Sequence, residues 1–349
     1  MFRLALFLLL AGSIASAVEL YSTGFENFPP GPDRIAGVPA SGTNPAIPAT
    51  DGWTGSHAGQ DRSGIFSEAE HAVPGIGNAA YLGGNTAPIF SGGSTIFVRK
   101  ILNYDPVAQG AEVVTYRLRL GLQDSSGFTR DNFEFLLYTN NALGGGAAGS
   151  YPLAGIQFDN TQLNPASGKP WQEIYRYSYD AASAAMRYSS TGVTFLYDTM
   201  HHLEIRVNFR TNKWSAALDT VPLFSDLTFY TGPFFRNVGS VLIQDKVGNA
   251  FLPGSNYLLV DDLDITAEPL PAPSLPDLTW SRTNGVQLNW EQEAGYRYEV
   301  RSAQDLGFWT TVPGGTAKTA AITSYSGSFT DSSAIGVPRR FYQIIRSFP

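Results

Sequence analysis

The chain has 349 residues, 36 of them glycine and 22 proline, with no cysteine and a net charge of −7. The acidic balance excludes a nucleic-acid partner, whose phosphates call for a basic face, and the missing cysteines exclude disulfides and a lipidated cysteine anchor. Only 15% of the residues are charged, while 17 Tyr, 22 Phe and 6 Trp sit among abundant turn formers, the composition of an all-β protein.

Arg3 followed by an apolar run from Leu4 to Ala11 and by Ala15-Ser16-Ala17 reads as a cleaved signal peptide over residues 1–17. The expected location is therefore secreted, periplasmic or cell-surface. That run is too short to span a bilayer, and no later stretch has 18 uncharged apolar residues. From Tyr21 a short strand ends at Pro29-Pro30-Gly31, and residues 31 to 95 read as long loops with brief apolar pieces around Trp53, Ile65-Phe66 and Ala80 to Leu82. Strands are expected at Thr95–Val98, at Val114 to Leu122 by strict alternation, at Phe133 to Leu137, at Ile156 to Phe158 and at Glu173 to Tyr179. Asp180 to Met186, short and Ala-rich, is the one expected helix.

The clearest element is His201 to Asp219. Leu203, Ile205, Val207 and Phe209 alternate with Glu204, Arg206, Asn208 and Arg210, and after a break at Thr211-Asn212 the alternation resumes through Trp214, Ala216 and Leu218. Two strands with one apolar face each form a hairpin that must pack on a second sheet. Leu223 to Tyr230, Ser240 to Gln244 and Asn256 to Thr266 complete an expected β-sandwich or jelly roll over residues 18–268. Four prolines between Pro269 and Pro276 mark a semi-rigid linker over 269–276. Residues 277–349 then read as a small Greek-key sandwich.

The motifs His201-His202-Leu203-Glu204, Trp214 to Asp219, Val260-Asp261-Asp262-Leu263 and Gly24-Phe25-Glu26 resemble those of the laminin-G-like and MAM-like branch of the concanavalin-A-like lectin/glucanase superfamily. The C-terminal part, through Leu288-Asn289-Trp290, Tyr296 to Val300 and Arg340 to Ile344, is similar to fibronectin-type-III-like modules. The resemblance implies a concanavalin-A-like jelly roll followed by a fibronectin-III-like unit. It further implies a structural Ca²⁺ between Glu26, Asp261 and Asp262, one of the two aspartates being turned inward by strand alternation.

A glycosidase of this fold needs two carboxylates flanking the scissile bond. The sequence has neither E-x-D-x-x-E nor E-x-D-x-E; Glu68 and Glu70 lie in loop sequence, and Asp131 and Glu134 have the wrong parity for one strand face. His201 and His202, adjacent on a strand, point to opposite faces and are not a metal pair. No catalytic residue is assigned. Sugar rings are expected to stack on aromatics beside loops, and Trp53, Tyr151, Trp171 and Tyr230 are the candidates. The expected role is non-catalytic binding, with a glycan as partner. A structural or adhesive surface protein contacting other proteins is the second reading, and a glycan-active hydrolase or lyase is the third.

Overall fold

The computed structural model describes residues 17–35, 50–56, 62–71, 73, 76–83, 95–123, 131–146, 148–159, 172–247, 256–269, 277–281, 284–291, 297–304, 308, 310–314, 318–319, 326–335, 337 and 340–347. The expected signal peptide, apart from Ala17, and the linker from Leu270 to Pro276 lie outside the described residues. Among the described residues no helix is long and apolar enough to cross a membrane. The chain divides into two compact units, one of them Ser16–Pro269 and the other containing Leu270–Pro349.

The larger unit is an all-β jelly-roll sandwich of two antiparallel sheets. In the first, β14 (Val221–Thr228), β13 (Lys213–Leu218), β12 (Met200–Asn208), β7 (Val113–Leu122) and β16 (Tyr257–Glu268) follow one another. β5 (Ala79–Gly83), β4 (Ser63–Phe66) and β2 (Gly31–Pro32) extend it, while β1 (Val18–Thr23) pairs with the far half of β16. The second sheet runs β11 (Ala185–Thr194), β10 (Glu173–Asp180), β9 (Ser150–Asp159), β8 (Asn132–Asn140), β15 (Val238–Lys246), β6 (Thr95–Tyr104) and β3 (Trp53–Gly55).

The expected hairpin is present, with Leu203 opposite Leu218 and Val207 opposite Trp214. Leu203, Ile205, Val207 and Trp214 are buried, and Tyr116 of β7 meets Phe135 of β8 edge-on, with 6.3 Å between ring centroids. One continuous core thus joins residues of both sheets, as two half-apolar faces require. The expected helix at Asp180–Met186 is instead a turn, Ala181–Ala184, linking β10 to β11. Asp180 closes that turn by accepting bonds from the Ala182 amide (3.0 Å) and the Ser183 hydroxyl (2.7 Å), so its side chain favours a turn over a helix interior.

The second unit is also all-β. β17 (Asp277–Ser281), β18 (Gly285–Glu291) and β22 (Ser326–Asp331) form one sheet. β19 (Arg297–Ala303) pairs with β20 (Thr310–Thr311), β21 (Lys318–Thr319) and β23 (Phe341–Ser347) in the other. Leu288, Trp290, Tyr298, Val300 and Val312 make its core.

Candidate functional site

The outward face of the seven-stranded sheet carries a dense cluster of polar side chains. The inward positions of β8, β9 and β15 are Phe133, Phe135, Ile156, Phe158, Val241 and Ile243, all buried. Alternation therefore turns Glu134, Gln157 and Gln244 outward, and the register sets them in one row with Tyr175 of β10 and Ser190 of β11. In the next row Tyr177 stands opposite Tyr188, and their rings stack with centroids 4.6 Å apart.

Glu134 is the centre of this face. Although it points away from the sandwich core it is 1% exposed, because four donors converge on it. Gln157 Nε2 (2.7 Å), the Tyr188 hydroxyl (2.6 Å) and Lys246 Nζ (2.9 Å) reach Oε1, and Gln244 Nε2 donates to Oε2. Lys246 Nζ also donates to the Tyr188 oxygen, so that hydroxyl is held between a carboxylate and an ammonium. A buried carboxylate is tolerated only with such full pairing. Beside this group the Glu173 carboxylate accepts from the Tyr175 hydroxyl (2.7 Å) and from the Ser190 hydroxyl. Burial and then the neighbouring acids push the Tyr175 and Tyr177 phenols up to about 12, and push Tyr188 higher still. All three therefore keep their protons, and the Tyr175 and Tyr188 hydroxyls act as donors. Arg99 lies over the Tyr138 ring at 5.0 Å, adding a cation to the same face. The result is a strip of half-exposed rings, with Tyr188 at 39% exposure, edged by hydroxyl, amide, ammonium and guanidinium groups.

The aromatics selected from the sequence lie elsewhere. Trp53 is wholly buried, its Nε1 donating to the Tyr21 hydroxyl at 2.9 Å and its ring packed near Tyr21 and Phe25, so no sugar ring reaches it. Tyr230 is 3% exposed and belongs to the core, at the wall of a cleft of about 510 Å³ lined also by Phe209, Phe234 and Arg236. Tyr151 stacks on Phe234 at 3.7 Å, which covers one face of its ring. Trp171 lies outside the described residues. His201 is buried with Nδ1 at 2.5 Å from the Asp219 carboxylate, and His202 is exposed, so the pair divides between faces as alternation requires.

Glu26, Asp261 and Asp262 do come close to one another. Neither aspartate enters the sandwich core, however, because β16 is bulged between Asp261 and Asp264 and Asp262 adopts a left-handed φ of 47°. Before the bulge Leu258 and Val260 face the core; after it Leu263 and Ile265 do, which leaves Asp261 on the outer side next to Arg119 of β7. Asp261 is buried there and Asp262 is exposed. Glu26 lies against Gly77, where any Cβ would fall within 2.4 Å of its carboxylate carbon, and it accepts the Asn78 amide at 3.1 Å. Arg119 Nη1 sits 3.8 Å from Asp261 and 3.5 Å from Asp262, supplying a positive charge to the corner. Among the described residues no group of three His, Cys, Asp or Glu side chains is disposed to hold a metal ion. Burial, with repulsion from Asp262 and Glu26, raises the Asp261 carboxyl to about 6.

No protein-family model and no curated protein sequence matches the chain. Among solved structures it is similar to a carbohydrate esterase from the Shiga toxin-encoding bacteriophage phi24B, with 12% identity, a TM-score of 0.42, and coverage of 72% of this chain and 100% of that one. It is similar to an endo-β-1,4-glucuronan lyase from the fungus Trichoderma reesei, with 12% identity, a TM-score of 0.41, and coverage of 62% and 91%. A mixed-linkage glucan glycoside hydrolase of family 16 from Bacteroides ovatus gives 12% identity, a TM-score of 0.41, and coverage of 70% and 99%.

Proposed function

We propose that this is an exported glycan-binding protein whose ligand lies along the outward face of the seven-stranded sheet. The observation that carries the reading is the tyrosine strip Tyr175, Tyr177 and Tyr188, set beside the fully paired Glu134. Half-exposed tyrosine rings offer apolar faces to sugar C–H groups, and their hydroxyls, with the amides of Gln157 and Gln244 and the Lys246 ammonium, suit hydroxyl or carboxylate substituents. Glu134 and Glu173 both engage their oxygens with side-chain donors, which fits a positioned hydrogen-bonding surface better than a pair of free catalytic acids. Binding of the full chain to a glycan array, followed by titration calorimetry on the best ligand, tests this. Tyr188→Ala and Tyr177→Ala are expected to lower affinity at least tenfold with unchanged folding. Unchanged affinity in both variants, or no glycan bound by the wild type, overturns the proposal.

The second reading, cleavage of a glycan chain, draws on the Tyr188 hydroxyl held between Glu134 and Lys246, an arrangement able to deliver a proton. Release of reducing ends by the wild type, lost in Tyr188→Phe, would favour it over binding alone.

A further inference from the structure

At the end of the sandwich where β15 finishes and β8 and β16 begin, three polar side chains turn toward the space between the sheets. Alternation puts Asp245 on the face of Val241 and Ile243 and, carried one residue outward from the start of each strand, puts Asp131 on the face of Phe133 and Phe135 and Asn256 on the face of Leu258 and Val260. Asp131 is 1% exposed, and Asp245 and Asn256 are fully buried. The sheets meet closely here. A Cβ on Gly83 would lie 2.6 Å from the Asn256 carbonyl oxygen and 3.4 Å from the ring of Phe133, which is the β8 partner of Asp245. Gly83 itself has a φ of 105°, a backbone setting that suits glycine alone.

Among the described residues, neither carboxylate oxygen of Asp245 takes part in a hydrogen bond, and neither the amide oxygen nor the amide nitrogen of Asn256 does. Two fully buried polar side chains with every polar atom unpaired are rare in a folded interior. Arg62, 4% exposed, interacts electrostatically with both Asp245 and Asp131. Charge buried this deeply is costly unless it is well paired.

We propose that Asp131, Asp245 and Asn256 form an inter-sheet site for a hard, oxygen-ligated cation, calcium or sodium. The donors are two carboxylates and an amide oxygen, with no sulfur or imidazole, the set that such cations prefer over zinc or copper. The cation draws ligands from both sheets and so ties the two layers together at this end. The site is separate from the Glu26/Asp261 corner, where Arg119 already supplies positive charge.

The test is thermal melting of the full chain after dialysis against a chelator, in calcium chloride, sodium chloride or choline chloride at equal ionic strength. The melting temperature should rise by several degrees, in proportion to the logarithm of cation concentration, with calcium or with sodium but not with choline. Whichever salt gives the rise identifies the ion. Asp245→Asn, nearly the same in shape, should abolish the rise, and Asp261→Asn should leave it intact. Should Asp245→Asn fail to fold, Asn256→Leu keeps both carboxylates and should raise the half-saturating concentration roughly tenfold or more. Equal melting in all three salts overturns the site, because water or a proton then meets the need. A rise that persists in Asp245→Asn, or that disappears in Asp261→Asn, also overturns it.

Discussion

Replacing Asp261 by Asn should make the protein more stable at alkaline pH and have little effect in acid. The Asp261 carboxyl is buried beside Arg119, and its folded-state value of about 6 lies above the 3.8 of an ordinary aspartate. Burial is the main cause, reinforced by Asp262 and Glu26. The difference is about two pH units at about 1.4 kcal/mol each, so charging Asp261 in the folded state costs about 3 kcal/mol. Because the folded value is the higher one, the protonated form is favoured by folding. The associated stability is complete below about pH 4 and is lost as the pH rises through 6. Asn keeps the acceptor for the Asp262 amide, which now bonds Asp261 Oδ1 at 2.8 Å, but gives up the ion pair with Arg119. The net expectation is a gain of about 1–3 kcal/mol at pH 8, shrinking toward zero at pH 4, read from urea unfolding at both values. A variant less stable than wild type at pH 8, or a gain of equal size at pH 4, refutes the reasoning. Loss of stability at pH 8 that depends on added calcium would instead favour the cation expected there from the sequence.

Trp53→Ala should destabilise the larger unit by about 3–5 kcal/mol in denaturant unfolding, since a wholly buried indole and its bond to Tyr21 are removed, while glycan affinity of the folded fraction stays unchanged. Gly155→Ala should be disruptive, because the new Cβ would come within 2.6 Å of the Phe135 carbonyl oxygen and 2.4 Å of Leu136; loss of soluble, cooperatively melting protein is the readout. Ile205→Ala, at the centre of the β12–β13 hairpin, should cost about 2–5 kcal/mol by calorimetry through the cavity it leaves.

Alternation made most of the larger unit legible. Leu203 to Phe209 and Trp214 to Leu218 each bury every second residue, and only the turn around Thr211-Asn212 interrupts the period of two. β11 escaped notice for the opposite reason: Ala185–Thr194 buries none of its residues fully, so it shows no apolar period, and its Ala-rich approach resembled a helix. Alternation turned one of Asp261 and Asp262 inward on paper, yet neither enters the core, because a bulge at a non-glycine residue with left-handed φ leaves no mark in composition. Trp53 adjoins loop sequence yet is buried, since sequence neighbours do not report which layer closes over a side chain. Glu134 was weighed only as half of a catalytic pair. The available sign was that Glu134, Gln157 and Gln244 each sit between residues turned into the core, on three strands that later proved adjacent. Nothing local shows that adjacency, because it depends on a strand order in which β15 separates β8 from β6.

Among the described residues, Tyr188 stands on β11, which has a strand neighbour on one side only, whereas Glu134, Gln157 and Gln244 stand on strands paired on both sides. The two halves of the face therefore differ in how freely they can diverge. Changes in the β10–β11 hairpin alter the outermost ring without disturbing any central ladder, so under the proposed glycan-binding function ligand preference can drift there over evolutionary time, or be redirected by hairpin libraries. The inner carboxylate–amide row offers no such latitude, since each of its members is coupled to strands on either side.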